Sequence, residues 1–419
     1  TPTPSSAASD VYKRQDLGNG NELFAEYGTY QSEYNGNRHS VSHFSSVKFV
    51  VPATNPYNFT GKALLMDNYR FVDAGARNVD NDKETTRYLV GVRGDTDTGW
   101  DWETAASYST AEAFDVTHNR VSNTLMDQLL HRTDETAYNP FNGGGIYQTG
   151  FVSHNPVDYT PGGIGPAIVD AYRANERTMT TLDFRMSKPD VLSIAGGDVG
   201  MAFGLETRNE TFMDDRDPRL DGTIVYTERR TNGQLSTSAG DTYPYVSDLA
   251  NSSPTPDSDG SRNVNSVYLE FDVPLVSSEM NIPLVEQFDL QLAYRQEAYS
   301  DFEGTGVPRV AFGWVVNDIL KIRGSQQDTF RAPNMITINE SMVVRNNTRN
   351  DAATLYAAGL GIDTDDSDGR YSVQRQAMGS SKLTAEESEN STIGLVLQPT
   401  DNLTITYDVW SIDSTNTIG

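Results

Sequence analysis

The sequence predicts an all-β fold: an incomplete antiparallel transmembrane β-barrel with long external loops. The first observation is a set of segments in which apolar and polar side chains alternate along a strand. In the clearest case, residues 199–210, the apolar side includes Phe203 and Leu205 and the polar side includes Glu206 and Arg208. This alternation outlasts the ~5 to 6 residues of a typical soluble strand and suits a tilted, bilayer-crossing strand of about 9 to 11 residues. The second observation is that short turns alternate with long polar loops, which is typical of a barrel with two unlike ends.

Residues 1–15 stand outside this pattern. They show neither strand alternation nor a helical period, so we expect a non-native leader or a disordered terminus there. The partial barrel is predicted to occupy residues 16–419.

The first strand is predicted at residues 22–27, and an apolar run follows at 47–51. The next pair of strands covers residues 87–96 and 100–114, which a glycine- and aspartate-rich turn separates. In the second of these strands, two tryptophans lie at one end of one face, as in the aromatic girdle of a membrane barrel. A soluble sandwich core is the alternative explanation of that face.

The pattern lapses over residues 116–177, where a short helix is predicted within residues 119–132 and irregular loop elsewhere. About 60 residues of this kind are uncommon in a compact soluble domain but usual in the external loops of a barrel. Further polar loops are predicted at residues 214–220, 240–263 and 336–382, the last with a brief helical turn at 355–360. The remaining strands are predicted at residues 178–188, 199–210, 265–276, 287–295, 309–314, 320–325, 393–397 and 403–409.

The composition narrows the possible functions. The chain carries 58 acidic and 32 basic side chains, which gives a formal net charge of -26. A surface of that sign repels phosphate backbones, so a nucleic-acid partner is not expected. The chain has no cysteine, which excludes disulfides, thiol catalysis and thiolate-bound metal.

The sequence shows no recognisable arrangement of catalytic residues. The histidines fall in or near predicted loops, without the spacing of a zinc protease and without a nucleophile motif. We therefore predict no enzymatic activity, no catalytic residue and no cofactor, and we interpret the histidines as surface loop residues. The five histidines are His39, His43, His118, His131 and His154.

Two acidic stretches, residues 257–260 and 363–369, invite comparison with calcium-binding loops. An EF-hand aligned on the glycine of either stretch would place Ser266 or Arg375 where a bidentate glutamate is required. Neither stretch is therefore an EF-hand, and no metal site is predicted. Solvated turns are expected, with loose Ca²⁺ binding as the alternative.

Several short motifs occur in an order and at distances that resemble those of TonB-dependent outer-membrane receptors. The resemblance covers nearly all of the chain after Asp16. The motifs are Asn55-Pro56-Tyr57-Asn58, Gly99-Trp100-Asp101-Trp102-Glu103, Asn139-Pro140-Phe141-Asn142, Gly204-Leu205-Glu206-Thr207-Arg208, Tyr299-Ser300-Asp301-Phe302, Phe330-Arg331-Ala332-Pro333 and Leu383-Thr384-Ala385-Glu386-Glu387-Ser388-Glu389-Asn390, which leads into Gly394-Leu395-Val396.

This resemblance implies a monomeric barrel of about 22 strands in the bacterial outer membrane. It also implies an N-terminal plug domain, a TonB complex as partner, lipid around the wall and a small-molecule or metal-chelate substrate. No plug-like region precedes Asp16, and no terminal aromatic strand ends the chain at Ile418-Gly419. With roughly 12 to 14 spanning strands, we expect an internal fragment, which alone would not insert as a working transporter because its edge strands are unpaired.

The function expected from this resemblance is TonB-coupled uptake of a scarce, bulky nutrient, with a ferric siderophore-like cargo favoured. A cell-surface or secreted all-β binding protein, adhesin-like, and a non-gated porin are the alternatives. Glu206, Arg208, Arg295 and Glu297 lie on the polar faces of their strands and are the candidate substrate contacts in the lumen. Hydration of the lumen or pairing with the plug is the simpler explanation of these four charges.

Overall fold

A computed structural model describes residues 5–43, 49–66, 69–141, 161–228, 241–350, 359 and 370–418. Within these residues it has three α-helices: α1 (Asn123–Leu130), α2 (Pro218–Asp221) and α3 (Met335–Asn339). Its strands are, in chain order, β1 (Ser5–Gly18), β2 (Asn21–Arg38), β3 (Ser42–His43), β4 (Phe49–Val51), β5 (Leu64–Met66), β6 (Tyr69–Arg70), β7 (Arg77–Asp95), β8 (Asp101–Val121), β9 (Ile168–Ile194), β10 (Gly197–Arg216), β11 (Val225–Glu228), β12 (Asp241–Ser247), β13 (Ser258–Val276), β14 (Gln287–Tyr299), β15 (Thr305–Asn317), β16 (Leu320–Arg331), β17 (Val343–Asn350), β18 (Arg370–Ala377), β19 (Glu386–Thr400) and β20 (Leu403–Thr415).

One large sheet dominates the molecule. Twelve of the described strands pair in the order β1-β2-β7-β8-β9-β10-β13-β14-β15-β16-β19-β20, and every neighbouring pair is antiparallel. The first and last strands of this sheet, β1 and β20, do not pair with each other in the described part of the chain. The predicted antiparallel all-β fold is thereby confirmed, and the sheet has a strand number within the expected range. We call this sheet the wall.

The two faces of the wall differ in polarity as the sequence predicts. Where β14 pairs with β15, Leu292 faces Val310 and, on the other side of the same ladder, Gln291 faces Ala311. Large apolar side chains are exposed on one face, for example Ile393, whose exposed fraction is 56%. We call this the apolar face and its opposite the polar face.

Several strands are longer than the alternation indicates. β7 begins at residue 77 rather than 87, β9 at 168 rather than 178, and β13 at 258 rather than 265. In these extensions both faces carry polar side chains, as at Asp80 and Asn81 of β7. Polar side chains on both faces remove the period-2 signal, whereas the backbone ladder that holds the strands together continues.

The N-terminal segment also differs from expectation. Residues 5–18 form β1 and pair with β2, from Ser5 opposite Glu33 to Gly18 opposite Asn21. The expectation of a disordered terminus is therefore wrong for residues 5–15, since backbone pairing with an available edge strand does not require side-chain alternation. A foreign origin of this segment stays a prediction.

The two ends of the wall are unlike. At one end, consecutive strands are joined by short connections such as 19–20, 96–100 and 318–319. At the other end, three long loops connect β2 to β7 (the first loop, residues 39–76), β8 to β9 (the second loop, 122–167) and β10 to β13 (the third loop, 217–257). A fourth, residues 332–385, connects β16 to β19 and contains α3.

The buried core of the molecule lies in these long loops rather than in the wall. Residues of the first, second and third loops, with the adjoining strand ends, pack into one hydrophobic cluster, which we call the loop core. Its buried members are Val41, Phe49, Val51, Met66, Phe71, Ala74, Val121, Met126, Leu129, Leu130, Tyr138, Ile164, Ala167, Ile168, Tyr226 and Ala250. Phe71 is fully buried and meets the ring of Phe49 edge-on at 6.2 Å between centroids.

Helix α1 is the centre of the loop core, and its N-terminus is held by the third loop. Ser122 is its N-cap and accepts a hydrogen bond from the backbone N–H of Leu125 at 3.2 Å. Asp248 accepts hydrogen bonds from the Ser122 hydroxyl at 2.7 Å and the Thr124 N–H at 2.9 Å. Its carboxylate is fully buried and pairs with Arg219, so a negative charge lies at the positive end of the helix dipole.

The first loop caps the opposite end of the helix. Asn55 is buried, and its side-chain NH₂ donates to the backbone carbonyls of Leu130 at 2.9 Å and Tyr138 at 3.1 Å. Its own Oδ1 accepts from the N–H of Tyr57 at 3.0 Å. Asn139 makes the same turn with Phe141, which gives the two Asn-Pro-aromatic motifs a structural role. The helix predicted within residues 119–132 is confirmed as α1.

Some predicted features fall outside the described residues. These are the acidic stretch 363–369, the helical turn at 355–360 except for residue 359, most of the irregular loop 139–145 and His154. None of the described helices is both long enough and apolar enough to cross a membrane.

Candidate functional site

The four candidate substrate contacts lie together on the polar face of three adjacent strands. Glu206 of β10 is opposite Ser266 of β13, and Ser266 is opposite Glu297 of β14. Arg208 and Arg295 occupy the neighbouring polar-face positions of β10 and β14. We call these four residues, with Glu210, Ser266 and Tyr299, the wall cluster.

Each arginine of the wall cluster is already paired. Arg208 contacts Glu206 at 2.8 Å on one side and Glu210 at 2.5 Å on the other. Arg295 donates from Nε to Glu297 at 2.6 Å. The cluster therefore presents alternating, mutually neutralised charges, which hold water and polar groups but do not offer a strong single charge to a ligand.

Glu297 is the most tightly held member. Glu297 is 6% exposed. Its Oε1 accepts a hydrogen bond from Arg295, and its Oε2 accepts one from the Tyr299 hydroxyl. The buried hydroxyl of Ser266, next to it in the register, has no hydrogen-bond partner in the described residues. An unsatisfied buried hydroxyl costs about 1–3 kcal/mol, so the neighbourhood of Ser266 is suited to a polar ligand group.

A second set of ion pairs runs across the polar face near the short-turn end. Arg93 of β7 contacts Glu22 of β2 at 2.6 Å, and Arg185 of β9 contacts Glu103 of β8 at 2.6 Å. These residues border a cavity of about 660 Å³. The sequence analysis missed this set because each residue is an isolated charge in its strand, and only the register brings them into one row.

Two family-like motifs meet at Arg262, close to the wall cluster. The guanidinium is buried, with 5% of its side chain exposed, and contacts the Asp301 carboxylate at 2.8 Å. It also donates to the Pro333 carbonyl at 2.8 Å and lies over the rings of Tyr299 and Phe302 at 5.4 and 5.3 Å from their centroids. Arg262 therefore links residues 299–302 to residues 330–333.

The histidines do not assemble a catalytic or metal site within the described residues. His118 lies between Asp80 and Asp170, with both ring nitrogens 2.9 Å from a carboxylate oxygen. His131 is buried, with 3% of its side chain exposed, and its Nδ1 lies 2.8 Å from the Asp127 carbonyl oxygen. The interpretation of His131 as a surface residue is wrong, because it follows α1 directly and shares the burial of that helix.

The acidic stretch 257–260 also differs from a calcium loop. Residues from Ser258 onward belong to β13, and Asp257 accepts a hydrogen bond from the N–H of Arg216 at 2.8 Å. Burial raises the pKa of Asp257, and the carboxylates of Asp221 and Asp215 raise it further. No group of three or more acidic or histidine side chains in the described ranges is arranged to hold a metal ion.

A comparison of the sequence with known protein families accounts for the polar face of the wall, its apolar opposite face and its unequal ends. The family model described as "TonB dependent receptor-like, beta-barrel" matches residues 14–419. The chain belongs to the TonB-dependent receptor family. Proteins of this family are receptors and transporters of the bacterial outer membrane, so the polar face of the wall is lumenal and the apolar face meets lipid.

Three solved structures of low sequence identity are similar to this chain, and the first of them, with a TM-score of 0.50, shares its fold. A mutant of the ferric enterobactin receptor PfeA from Pseudomonas aeruginosa is 14% identical, with a TM-score of 0.50, and covers 98% of this chain. The siderophore receptor PirA from Acinetobacter baumannii is 12% identical over 98% of this chain, with a TM-score of 0.49. The RagAB peptide importer is 11% identical over 99%, with a TM-score of 0.48. No match was found among curated proteins.

The receptor chain spans less than half of each of these neighbours, at 42%, 43% and 40% of their respective lengths. The apolar face shows a further sign of its lipid contact. Tyr27, Tyr88 and Tyr108 follow one another across β2, β7 and β8, as residues of an aromatic belt do.

Proposed function

We propose that the complete receptor imports a scarce, bulky nutrient across the outer membrane with energy supplied through TonB. The observation that carries this proposal is the family match over residues 14–419. The charged lumenal wall supports it, because a polar cargo needs a hydrated path lined with hydrogen-bonding groups. A plug domain of the complete receptor contacts TonB, and the receptor works as a monomer.

A ferric siderophore-like chelate is the favoured cargo. One structural neighbour is named as a ferric enterobactin receptor, one as a siderophore receptor and one as a peptide importer, so a peptide is the second candidate. Glu206, Arg208, Arg295 and Glu297 contact the cargo as it passes the wall cluster. Their paired charges suit transient contacts, since a site that releases its cargo inward must not bind any single group too tightly.

Uptake of radioactive iron chelates and of a labelled peptide mixture tests the proposal in cells that carry the complete receptor. We expect accumulation of a chelate that requires both the receptor and an intact TonB system. Accumulation that persists without TonB supports the non-gated porin instead. Uptake of peptide but not of chelate leaves TonB-coupled import in place and overturns the siderophore-like cargo.

Matched variants test the wall cluster in the same assay. Arg208→Gln and Arg295→Gln remove cations of the cluster, whereas Arg323→Gln removes a lumenal cation on β16 that pairs with Asp408. We expect slower uptake in the first two variants and wild-type uptake in the third. Equal rates in all three variants would show that the cluster only hydrates the lumen.

A further inference from the structure

A second lumenal cavity lies at the loop end of the wall, apart from the wall cluster. Its volume is about 580 Å³, and it is bordered by polar-face residues of β2, β7, β8 and β9. Leu220 and Leu249 of the third loop also border it. The cavity is therefore placed where a molecule that comes from the loop side first meets the lumenal wall.

Positive charge dominates the lining of this cavity. Arg38 and Lys83 line it, and no close ion pair or hydrogen bond joins either of them to another residue in the described part of the chain. Arg120 lines it as well and contacts the Ala250 carbonyl and the Ser252 hydroxyl, with no carboxylate partner. We call Arg38, Lys83 and Arg120 the cavity cations.

The remaining charged groups of the lining compensate the charge of these cations only in part. Arg173 donates from Nε and Nη2, one edge of its guanidinium, to the two carboxylate oxygens of Asp214, at 2.8 and 2.9 Å. Asp115 is the single carboxylate among the described lining residues. It accepts a hydrogen bond from Asn81 and attracts Lys83 and Arg38 electrostatically. Within the described lining, the three cavity cations thus outnumber the one carboxylate.

The backbone register adds to the concentration of positive charge. Arg38 of β2 lies directly opposite Arg77 of β7, and like charges in directly opposite positions destabilise a sheet. Arg77 donates to the carbonyl of His39 at 3.1 Å, and neither arginine forms an ion pair with a carboxylate among the described residues. In a chain with a net charge of -26, such an uncompensated group needs a counter-charge from elsewhere.

One hydrogen-bond donor at the cavity has no acceptor among the described residues. The Nε of Arg120 is buried and has no hydrogen-bond partner among the described residues. A guanidinium N–H is a strong donor in a fixed geometry, and leaving it unpaired in a buried position is costly. A carboxylate or phosphate oxygen supplies both the acceptor and the negative charge, and Arg is the residue that binds such oxygens best.

We propose that this cavity binds a carboxylate- or phosphate-bearing small molecule through the cavity cations. It is the first site on the lumenal wall that the cargo contacts. The identity of the ligand as cargo rests on the proposed import function, whereas the anion site itself does not require that function. A positive cavity in a negative protein attracts an anion locally and disfavours it elsewhere. The receptor thereby selects cargo that carries an anionic group.

Equilibrium calorimetry on the complete receptor in detergent tests the site, with citrate and pyrophosphate as anionic probes and glucose as the neutral control. Arg120→Gln, Lys83→Gln and Arg38→Gln each remove one cavity cation, and Arg309→Gln removes a lumenal cation on β15 as the matched control. We expect citrate or pyrophosphate to bind about tenfold more weakly in each of the first three variants. Binding in Arg309→Gln should equal that of the wild type, and higher salt should weaken binding generally.

Lys83 is exposed, so Lys83→Gln is expected to fold normally even if Arg120→Gln does not. Failure of both anions to bind the wild type, or equal binding in Lys83→Gln and Arg309→Gln, overturns the anion site. The binding measurement needs no TonB, so its outcome is independent of the uptake assay. Lost binding in the variants together with TonB-independent uptake would keep the anion site and reject the proposed function.

Discussion

The wall and the loop core place their apolar side chains in opposite environments. In the wall, side chains such as Leu205 remain 53% exposed, because the lipid of the outer membrane covers them. In the loop core, Phe71, Met126 and Leu130 are fully buried by other parts of the protein. The same kind of residue is thus stabilised by the bilayer in one region and by side-chain packing in the other.

This difference separates two sources of order in one chain. The wall depends on backbone ladders between long strands, and its register determines which charges meet in the lumen. The loop core depends on tertiary contacts of the kind found in soluble proteins, with α1 capped by Asp248 of one loop and Asn55 of another. The third loop, which is held in this way, borders the cavity of the cavity cations through Leu220 and Leu249, whereas the cations themselves belong to wall strands.

The largest expected effect is on the loop core. Phe71→Ala removes a fully buried ring, and we expect a loss of about 3–5 kcal/mol in the stability of the loop core, because such a change leaves a cavity. Phe59→Ala is the matched control, since Phe59 is 83% exposed. Hydrogen exchange of the loops and limited proteolysis of the complete receptor measure the effect. Equal protease resistance in the two variants would contradict a packed core in the loops.

The wall can be tested with two adjacent residues on opposite faces. Leu292→Arg places a charge on the apolar face of β14, where we expect a cost of about 2–4 kcal/mol near the middle of the bilayer. Gln291→Arg places the same charge on the lumenal face, where it meets water. The fraction of receptor that assembles into the outer membrane, read from heat-modifiable migration, should fall only for Leu292→Arg. A fall of equal size in both variants would mean that the apolar face does not meet lipid.

The sequence was sufficient to predict the wall because alternation is a local signal. The wall strands β14, β15, β16, β19 and β20 were placed from residues such as Leu290 and Phe312, whose spacing alone indicates their face. The loop core could not be predicted in this way. Its members come from three loops that lack any period, and a cap such as Asn55 on Leu130 joins residues that are 75 positions apart.

The candidate site was predictable only in part for a related reason. The alternation of side chains along each strand predicts that the four residues of the wall cluster share one face. It does not reveal that Arg208 is neutralised by two glutamates. The cavity cations were missed because their grouping depends on register and on residues of the third loop. Lys83 by itself is an unremarkable charge in a polar stretch.

Alkaline pH should loosen the loop core and leave the wall in place. Burial raises the pKa of Tyr69 to about 12 and raises that of Tyr138 as well, and their hydroxyls lie 2.8 Å apart. A raised pKa means that the folded loops hold protons which the unfolded loops release. Stability is therefore full below about pH 10 and falls as the pH rises toward 12.

For Tyr69 alone the loss amounts to at most about 3 kcal/mol. Near-ultraviolet circular dichroism of the complete receptor, recorded together with tyrosinate absorbance, follows this transition. Tyr69→Phe should reduce the pH dependence, because phenylalanine has no proton to release. A transition of unchanged size in Tyr69→Phe would assign the alkaline effect to another group.

The smallest expected effect compares two carboxylates within the wall cluster. Glu206→Gln removes one of two partners of Arg208 in a partly exposed ion pair, and we expect a loss of less than about 1 kcal/mol in unfolding free energy, since water replaces the interaction. Glu297→Gln should cost more, about 1–3 kcal/mol, because Glu297 is buried and its two oxygens serve Arg295 and Tyr299. Urea titration of the complete receptor in lipid vesicles measures both. Equal costs would indicate that the lumen hydrates the two positions alike and that the ordering by burial does not hold inside the barrel.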